Sequence, residues 1–201
     1  MKLLLIFFLA LELFASTNDA LSAYKQHNYK ESFRLYKRAA NNGSSVAQNA
    51  LSYLYFNGIG VKKSPKNGIL WLQKAAQQDD KRACFDLGMF YLTGHNVEQN
   101  FKKAVKYLQI ASDQGENEAT YNLALMYYKG DGVKQNIQKA ATLLEKAAKA
   151  GHFKAKQNVG RVYMQLLNFK KANYWLGENV KDGDTQAAAL LKEIKATQAK
   201  E

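Results

Sequence analysis

Between residues 45 and 130 one spacing of apolar and small residues recurs three times. Ala47, Leu51, Ser52 and Tyr55 are followed by Ala83, Leu87, Gly88 and Tyr91, then by Ala119, Leu123, Ala124 and Tyr127. Positions one, five and nine of a helix share a face, so each set predicts a helix with one buried stripe. The small residue lets a neighbouring backbone approach closely. A second group of columns keeps the same beat. Small residues stand at Ser32, Gly68, Ala104, Ala140 and Ala172, and large apolar ones at Leu35, Trp71, Tyr107, Leu143 and Trp175. A period in this range marks stacked helix pairs, each unable to bury its apolar face alone.

Polar residues punctuate the pattern. Asn28, Ser64, Asn100, Asn136 and Asn168 form a ladder with three steps of 36 residues and one of 32. Each is placed to cap the second helix of its pair, worth about 1 kcal/mol per cap. Pro65 follows Ser64 at the first helical position, where a missing N–H is harmless. Asn28 with Glu31 three residues on predicts a capping box. Within the pairs lie the loops Gly58-Ile59-Gly60-Val61, Gly94-His95-Asn96-Val97 and Gly130-Asp131-Gly132-Val133. Glycine suits left-handed backbone there, and asparagine is its best substitute. These loops lack the lysine-serine ending of a nucleotide-binding loop. Gly43, Gly115, Gly151 and Gly183 stop the second helices, with Asp79 the exception.

The expected fold is all-α, with about five helix-turn-helix repeats at 17–43, 46–79, 82–115, 118–151 and 154–183. A terminal helix over 184–201 carries a single apolar stripe, Ala187, Leu190, Leu191 and Ile194, as an end cap should.

The motif A-x-x-x-L-(small)-x-x-Y-x-x-G-x-(G/N)-V, followed by A-x-x-(W/Y/L)-x-x-x-A-(A/S), resembles the SEL-one-like repeats, relatives of the tetratricopeptide repeats with a longer internal loop. Residues 47–151 carry it in three consecutive units, while the flanking units lack the G-x-G-V loop and look like ordinary tetratricopeptide repeats. The resemblance implies a right-handed α/α superhelix, a solenoid, acting as an adaptor or scaffold for other proteins, often in the bacterial envelope. A cysteine-rich branch of that family is described as penicillin-binding or β-lactamase-like, with a cysteine pair in each repeat. This chain has only Cys84, which separates it from that branch. Cys84 reads as a small buried hydrophobe.

Residues 1–16 read as a secretory signal. Lys2 precedes the apolar run Leu3 to Leu11, and Ala15 and Ser16 are suited to cleavage; the run is too short to span a bilayer. The expected location is therefore periplasmic or secreted, with no transmembrane segment after cleavage. Net charge is +12, with lysine in nearly every segment. That charge favours anionic partners without choosing one, and export makes nucleic acid a poor candidate.

Ser22-Ala23-Tyr24-Lys25 matches the S-x-x-K core of penicillin-recognising enzymes, yet no Ser-Asp-Asn or Lys-Thr-Gly accompanies it. His27, His95 and His152 are far apart, and His95 with Glu98 supplies too few ligands for a metal site. They read as solvated loop histidines. No catalytic residue, metal or cofactor is expected. A weak β-lactamase-like or cell-wall amide hydrolase, and a binder of an anionic envelope polymer, are the alternatives to an adaptor.

A binding groove is expected on the first helices of the pairs. In the fourth unit Tyr121, Leu125 and Tyr128 make a second apolar stripe where a surface helix would be polar. The same columns give Asn49 and Tyr53, Phe85 and Met89, then Gln157 and Arg161, with Lys129 and Lys154 adding charge near the C-terminal end. Such a groove would hold a segment of a protein partner, acidic or with an apolar anchor. The competing reading packs the aromatic residues internally.

Overall fold

The structure is a computed structural model and describes residues 17–198. The signal-peptide reading of residues 1–16 lies outside them. The described residues form eleven helices and no strand: α1 (17–25), α2 (Tyr29–Asn41), α3 (Ser45–Asn57), α4 (Pro65–Ala76), α5 (Lys81–Thr93), α6 (Phe101–Asp113), α7 (Asn117–Lys129), α8 (Ile137–Lys149), α9 (Phe153–Gln165), α10 (Phe169–Lys181) and α11 (Thr185–Gln198). The fold is an all-α repeat. It divides into two compact units, one ending with Asn100 and the other beginning at Phe101.

In the first unit α2 packs on α3, α3 on α4 and α4 on α5. The stripe residues Ala47, Leu51 and Ser52, and Ala83, Leu87 and Gly88, are buried, and Ala20, Leu35, Tyr36 and Ala39 extend that core. In the second unit α6 to α11 follow the same rule. Ala119, Leu123 and Ala124 are buried, as are Ala155, Val159, Gly160 and Tyr163, which continue the stripe into the fifth pair. A Cβ on Gly160 would lie 2.9 Å from Leu176 and one on Gly68 2.9 Å from the Phe56 ring. These small positions are where neighbouring helices meet.

The ladder residues work as the sequence predicts at three rungs. The side chains of Ser64, Asn136 and Asn168 accept from the backbone N–H of Asn67, Lys139 and Lys171. Their own N–H groups, with that of Asn100, donate to the carbonyls of Tyr55, Tyr127, Tyr163 and Tyr91 at the ninth stripe position. Asn28 departs from the expectation, for its side chain makes no capping bond. Its backbone (φ −82°, ψ 68°) matches that of Asn168 (φ −85°, ψ 71°), so the difference lies in side-chain rotation. The capping box fails too, because Arg34 takes the Glu31 carboxylate through two hydrogen bonds, at 2.8 and 2.5 Å. That ion pair holds the Glu31 carboxyl below its usual value.

A second ladder, not evident from the sequence, caps the first helices. Ser44, Asp80, His152 and Asp184 accept from the backbone N–H of Ala47, Ala83, Ala155 and Ala187. Serine, aspartate and histidine share its rungs, which is why no column stands out.

Non-glycine residues in left-handed backbone are His27, Asp79, Asn96 and Leu167. Asp79 and Asn96 occupy the expected places. Leu167 (φ 55°) is 73% exposed and turns the short loop before α10. Such backbone costs a branched side chain about 1–2 kcal/mol, with no burial here to offset it. Leu167→Asn should raise stability by about 0.5–1 kcal/mol, read from the urea midpoint.

Candidate partner-binding face

In the second unit, the first helices of successive pairs lie parallel and in register. Near their starts the Asn117 side chain reaches the Ala150 carbonyl (3.3 Å) and His152 meets Glu118 (2.8 Å). Near their ends Tyr128 donates to Gln165 (3.1 Å). Tyr121 stacks on His152 with ring centroids 4.4 Å apart, and its hydroxyl accepts from Asn158. Tyr121 and Tyr128 both pack against the buried cluster of the unit, and Leu125 beside them is half-buried. This stripe thus divides its area between core and surface.

The three groove cations expected from the sequence, Lys129, Lys154 and Arg161, do not converge. Arg161 is engaged by Asp184 (3.5 Å), Gln186 (3.0 Å) and the Gln157 carbonyl (3.1 Å). Lys129 ends α7, whereas Lys154 lies in the first turn of α9, so parallel packing sets them at opposite ends. A hollow of about 640 Å³ opens between α9 and α11, lined by Arg161, Met164, Leu167 and Leu190.

Among the aromatic and apolar residues of the expected groove, the exposed one is Tyr53 of the first unit. Tyr53 is 53% exposed and Val46 59%, both on α3. A hollow of about 430 Å³ is lined by Leu21, Tyr24, Val46, Asn49, Tyr53 and Arg82. A second, of about 470 Å³, lies between α3 and α5, with Phe56, Phe90 and Asp86 among its walls. Asn49, Tyr53 and Asp86 border both. Partial burial and a hydrogen bond with Tyr53 push the Tyr24 phenol above its usual value. Arg82 bonds Asp86 (3.3 Å) and lies over the Phe85 ring (5.4 Å). Phe85 and Met89 are half-buried on α5.

Of the residues lining these two hollows, the sequence columns name Asn49 and Tyr53 and not Leu21, Tyr24, Val46, Arg82 and Asp86. Leu21 and Tyr24 lie on α1, outside the G-x-G-V units where columns could be carried, whereas Val46, Arg82 and Asp86 lie on α3 and α5 off the columns that were followed. Ser22 and Lys25 of the S-x-x-K motif are both exposed on α1, and the Ser22 hydroxyl accepts only from Gln26 among its resolved contacts. His152 is not a solvated loop histidine. Its side chain is 11% exposed, with Nδ1 capping α9 and Nε2 on Glu118. His95 lies against the Phe90 ring. Cys84 is buried, its thiol directed at the Ala76 carbonyl (3.7 Å), where Gln48 reaches the Ala40 carbonyl one repeat earlier. Among the described residues no three His, Cys, Asp or Glu side chains converge as metal ligands, and no helix is long and apolar enough to cross a membrane.

The Sel1 repeat model matches residues 21–44, 45–80, 81–116 and 117–152. The chain belongs to the Sel1 repeat family. A Sel1 repeat protein from Oxalobacter formigenes is similar at 29% identity and TM-score 0.69, over 87% of this chain and 75% of that one. A protective antigen present in uropathogenic Escherichia coli strains, displaying an SLR fold, is similar at 26% identity and TM-score 0.79, over 92% of this chain and 42% of that one. A putative sel1-like repeat-containing protein of Acanthamoeba polyphaga mimivirus is 42% identical over 45 residues, 22% of this chain and 8% of that protein. The chain thus spans a small part of that curated relative. Sel1 repeat proteins generally mediate protein–protein interaction and are typically non-catalytic scaffolds.

Proposed function

We propose that this Sel1 repeat protein is an exported, non-catalytic adaptor that binds a segment of a partner protein on the face built by α1, α3 and α5. The observation that carries the reading is Tyr53, a large aromatic side chain half in solvent between two hollows. Exposed Val46 and Leu21 flank it, with Asn49 and the Arg82–Asp86 pair in reach. Rigid aromatic anchors beside fixed polar groups are the make-up of binding hot spots. The Arg82–Asp86 pair offers hydrogen bonds to a partner backbone on either side. Export rests on the pattern of residues 1–16, with the periplasm or the outside of the cell as the destination.

The doubly substituted Tyr53→Ala/Val46→Ser protein tests the reading. Both side chains are largely in solvent, so stability should change by less than about 1 kcal/mol. Affinity for a partner isolated with the wild-type protein should fall at least about thirtyfold. Unchanged affinity would remove this face from the account. The hydrolase reading is tested separately: turnover of a chromogenic β-lactam that disappears in Ser22→Ala would replace an adaptor with an enzyme.

A further inference from the structure

Lysine is spread evenly along the sequence, but folding sorts it. In the second unit the starts of α6, α8 and α10 come to one edge. Parallel α7 and α9 put the starts of α8 and α10 side by side, and the 130–133 loop lies on the start of α6, where a Cβ on Gly132 would be 2.4 Å from the Phe101 carbonyl carbon. Those starts and their loops carry Lys102, Lys103, Lys134, Lys139, Lys170 and Lys171, with Asp131 the single acidic residue from 100 to 106, 129 to 139 and 166 to 172. The opposite edge carries Asp113, Glu116, Glu118, Asp182 and Asp184 against Lys149, Lys154, Lys156 and Lys181, with Lys156 paired to Asp182.

Helix dipoles do not account for this division. Each edge holds one set of helix starts and one set of helix ends, so both should carry mixed charge. Lysine is in fact placed where the dipole opposes it, and none of α6, α8 and α10 has an acidic residue in its first turn. Internal pairing explains part of the row: Lys139 bonds the Tyr127 hydroxyl (2.7 Å) and Lys171 bonds Glu145 (2.7 Å). Lys102, Lys134 and Lys170 stand exposed beside them.

We propose that this edge is a second binding surface, distinct from the α1, α3 and α5 face, for a flexible linear polymer bearing phosphate groups. Three lysine rungs on successive repeats form a line rather than a pocket, which suits a chain with charges recurring along it. The row is all lysine. Lysine binds phosphate as a point charge, so a row of lysines asks only that the partner's anionic groups recur along its length. A flat lipid surface would reward apolar anchoring beside the cations, and of the row's residues only Leu167, on the α10 rung, is a large exposed apolar side chain.

The test uses fluorescently labelled long-chain polyphosphate, titrated with the protein from low to moderate salt. Two triple variants remove equal charge: Lys102→Gln/Lys134→Gln/Lys170→Gln on the row, and Lys154→Gln/Lys181→Gln/Lys192→Gln at exposed positions elsewhere in the same unit. The row variant should lose at least about thirtyfold in affinity with a shallower salt dependence, and the other variant less than about threefold. Thermal melts of both should match wild type, and polyglutamate of equal charge should bind at least about tenfold more weakly than polyphosphate. Equal losses in the two variants would reduce the effect to net charge and overturn the proposal. Equal binding of polyphosphate and polyglutamate would overturn its choice of phosphate, and tighter binding to phosphatidylglycerol vesicles would assign the edge to a lipid surface instead.

Discussion

Gly132→Ala should destabilise the second unit by about 3–5 kcal/mol, whereas Gly151→Ala should cost about 1–2 kcal/mol. Both glycines have left-handed backbone, at φ 72° and 86°, so the strain of an L side chain is common to them. What separates them is space. A Cβ on Gly151 meets nothing within 4 Å, but one on Gly132 would lie 2.4 Å from the Phe101 carbonyl carbon and 2.6 Å from its oxygen. That obstacle is backbone at the first turn of α6 and cannot rotate away. Gly60 repeats the geometry, with a Cβ 2.1 Å from the Tyr29 oxygen. The corresponding Asn96 shows that the backbone conformation alone is tolerable. Urea unfolding of the two alanine variants measures the difference, and equal losses would mean that the loop does not seat on α6.

The second large effect is a pH dependence centred on Glu145. Its side chain is 15% exposed and is held by Lys149 (2.8 Å), Lys171 (2.7 Å) and the Tyr163 hydroxyl, which ties α8, α9 and α10 together. Burial alone would raise its pKa, but hydrogen bonds from Lys149, Lys171 and Tyr163 outweigh it and lower the carboxyl from 4.5 to about 2. A carboxylate more acidic in the folded than in the unfolded chain stabilises the fold above the unfolded pKa. That contribution is lost as pH falls through the folded value. The group should therefore contribute about 3 kcal/mol at neutral pH, lost between about pH 4.5 and 2. Other carboxylates titrate in the same range, so the informative quantity is a difference. The stability gap between wild type and Glu145→Gln should be about 3 kcal/mol at pH 7 and close to zero at pH 2. A gap that does not change with pH would show packing, rather than charge, to be what Glu145 supplies.

The repeat was legible because each helix pair restates one steric problem. Ala47, Ala83 and Ala119 must all admit a neighbouring helix, and identical demands leave identical residues. Capping was legible only where residue types coincided. Asparagine holds four of the five rungs of one ladder, whereas serine, aspartate and histidine share the other at Ser44, Asp80, His152 and Asp184. The second ladder therefore stayed hidden, and with it the role of His152. The proposed binding face was legible in part. Columns led to Asn49 and Tyr53 and also to Tyr121, which spends its ring on His152 and the core. A column records that a position points inward along the repeat; whether a neighbour has covered it depends on side chains from adjacent helices. Arg161 fails as a groove cation for that reason, since Asp184 and Gln186 arrive from beyond α10.

The most direct test of the adaptor account places a photo-reactive phenylalanine at Tyr53, and separately at exposed Leu70 on α4, in cells producing the protein from its own gene. Irradiation should join a discrete partner protein to the Tyr53 site and not to the Leu70 site. Adducts formed equally at both sites, or at Leu70 alone, would contradict a partner bound on the α1, α3 and α5 face.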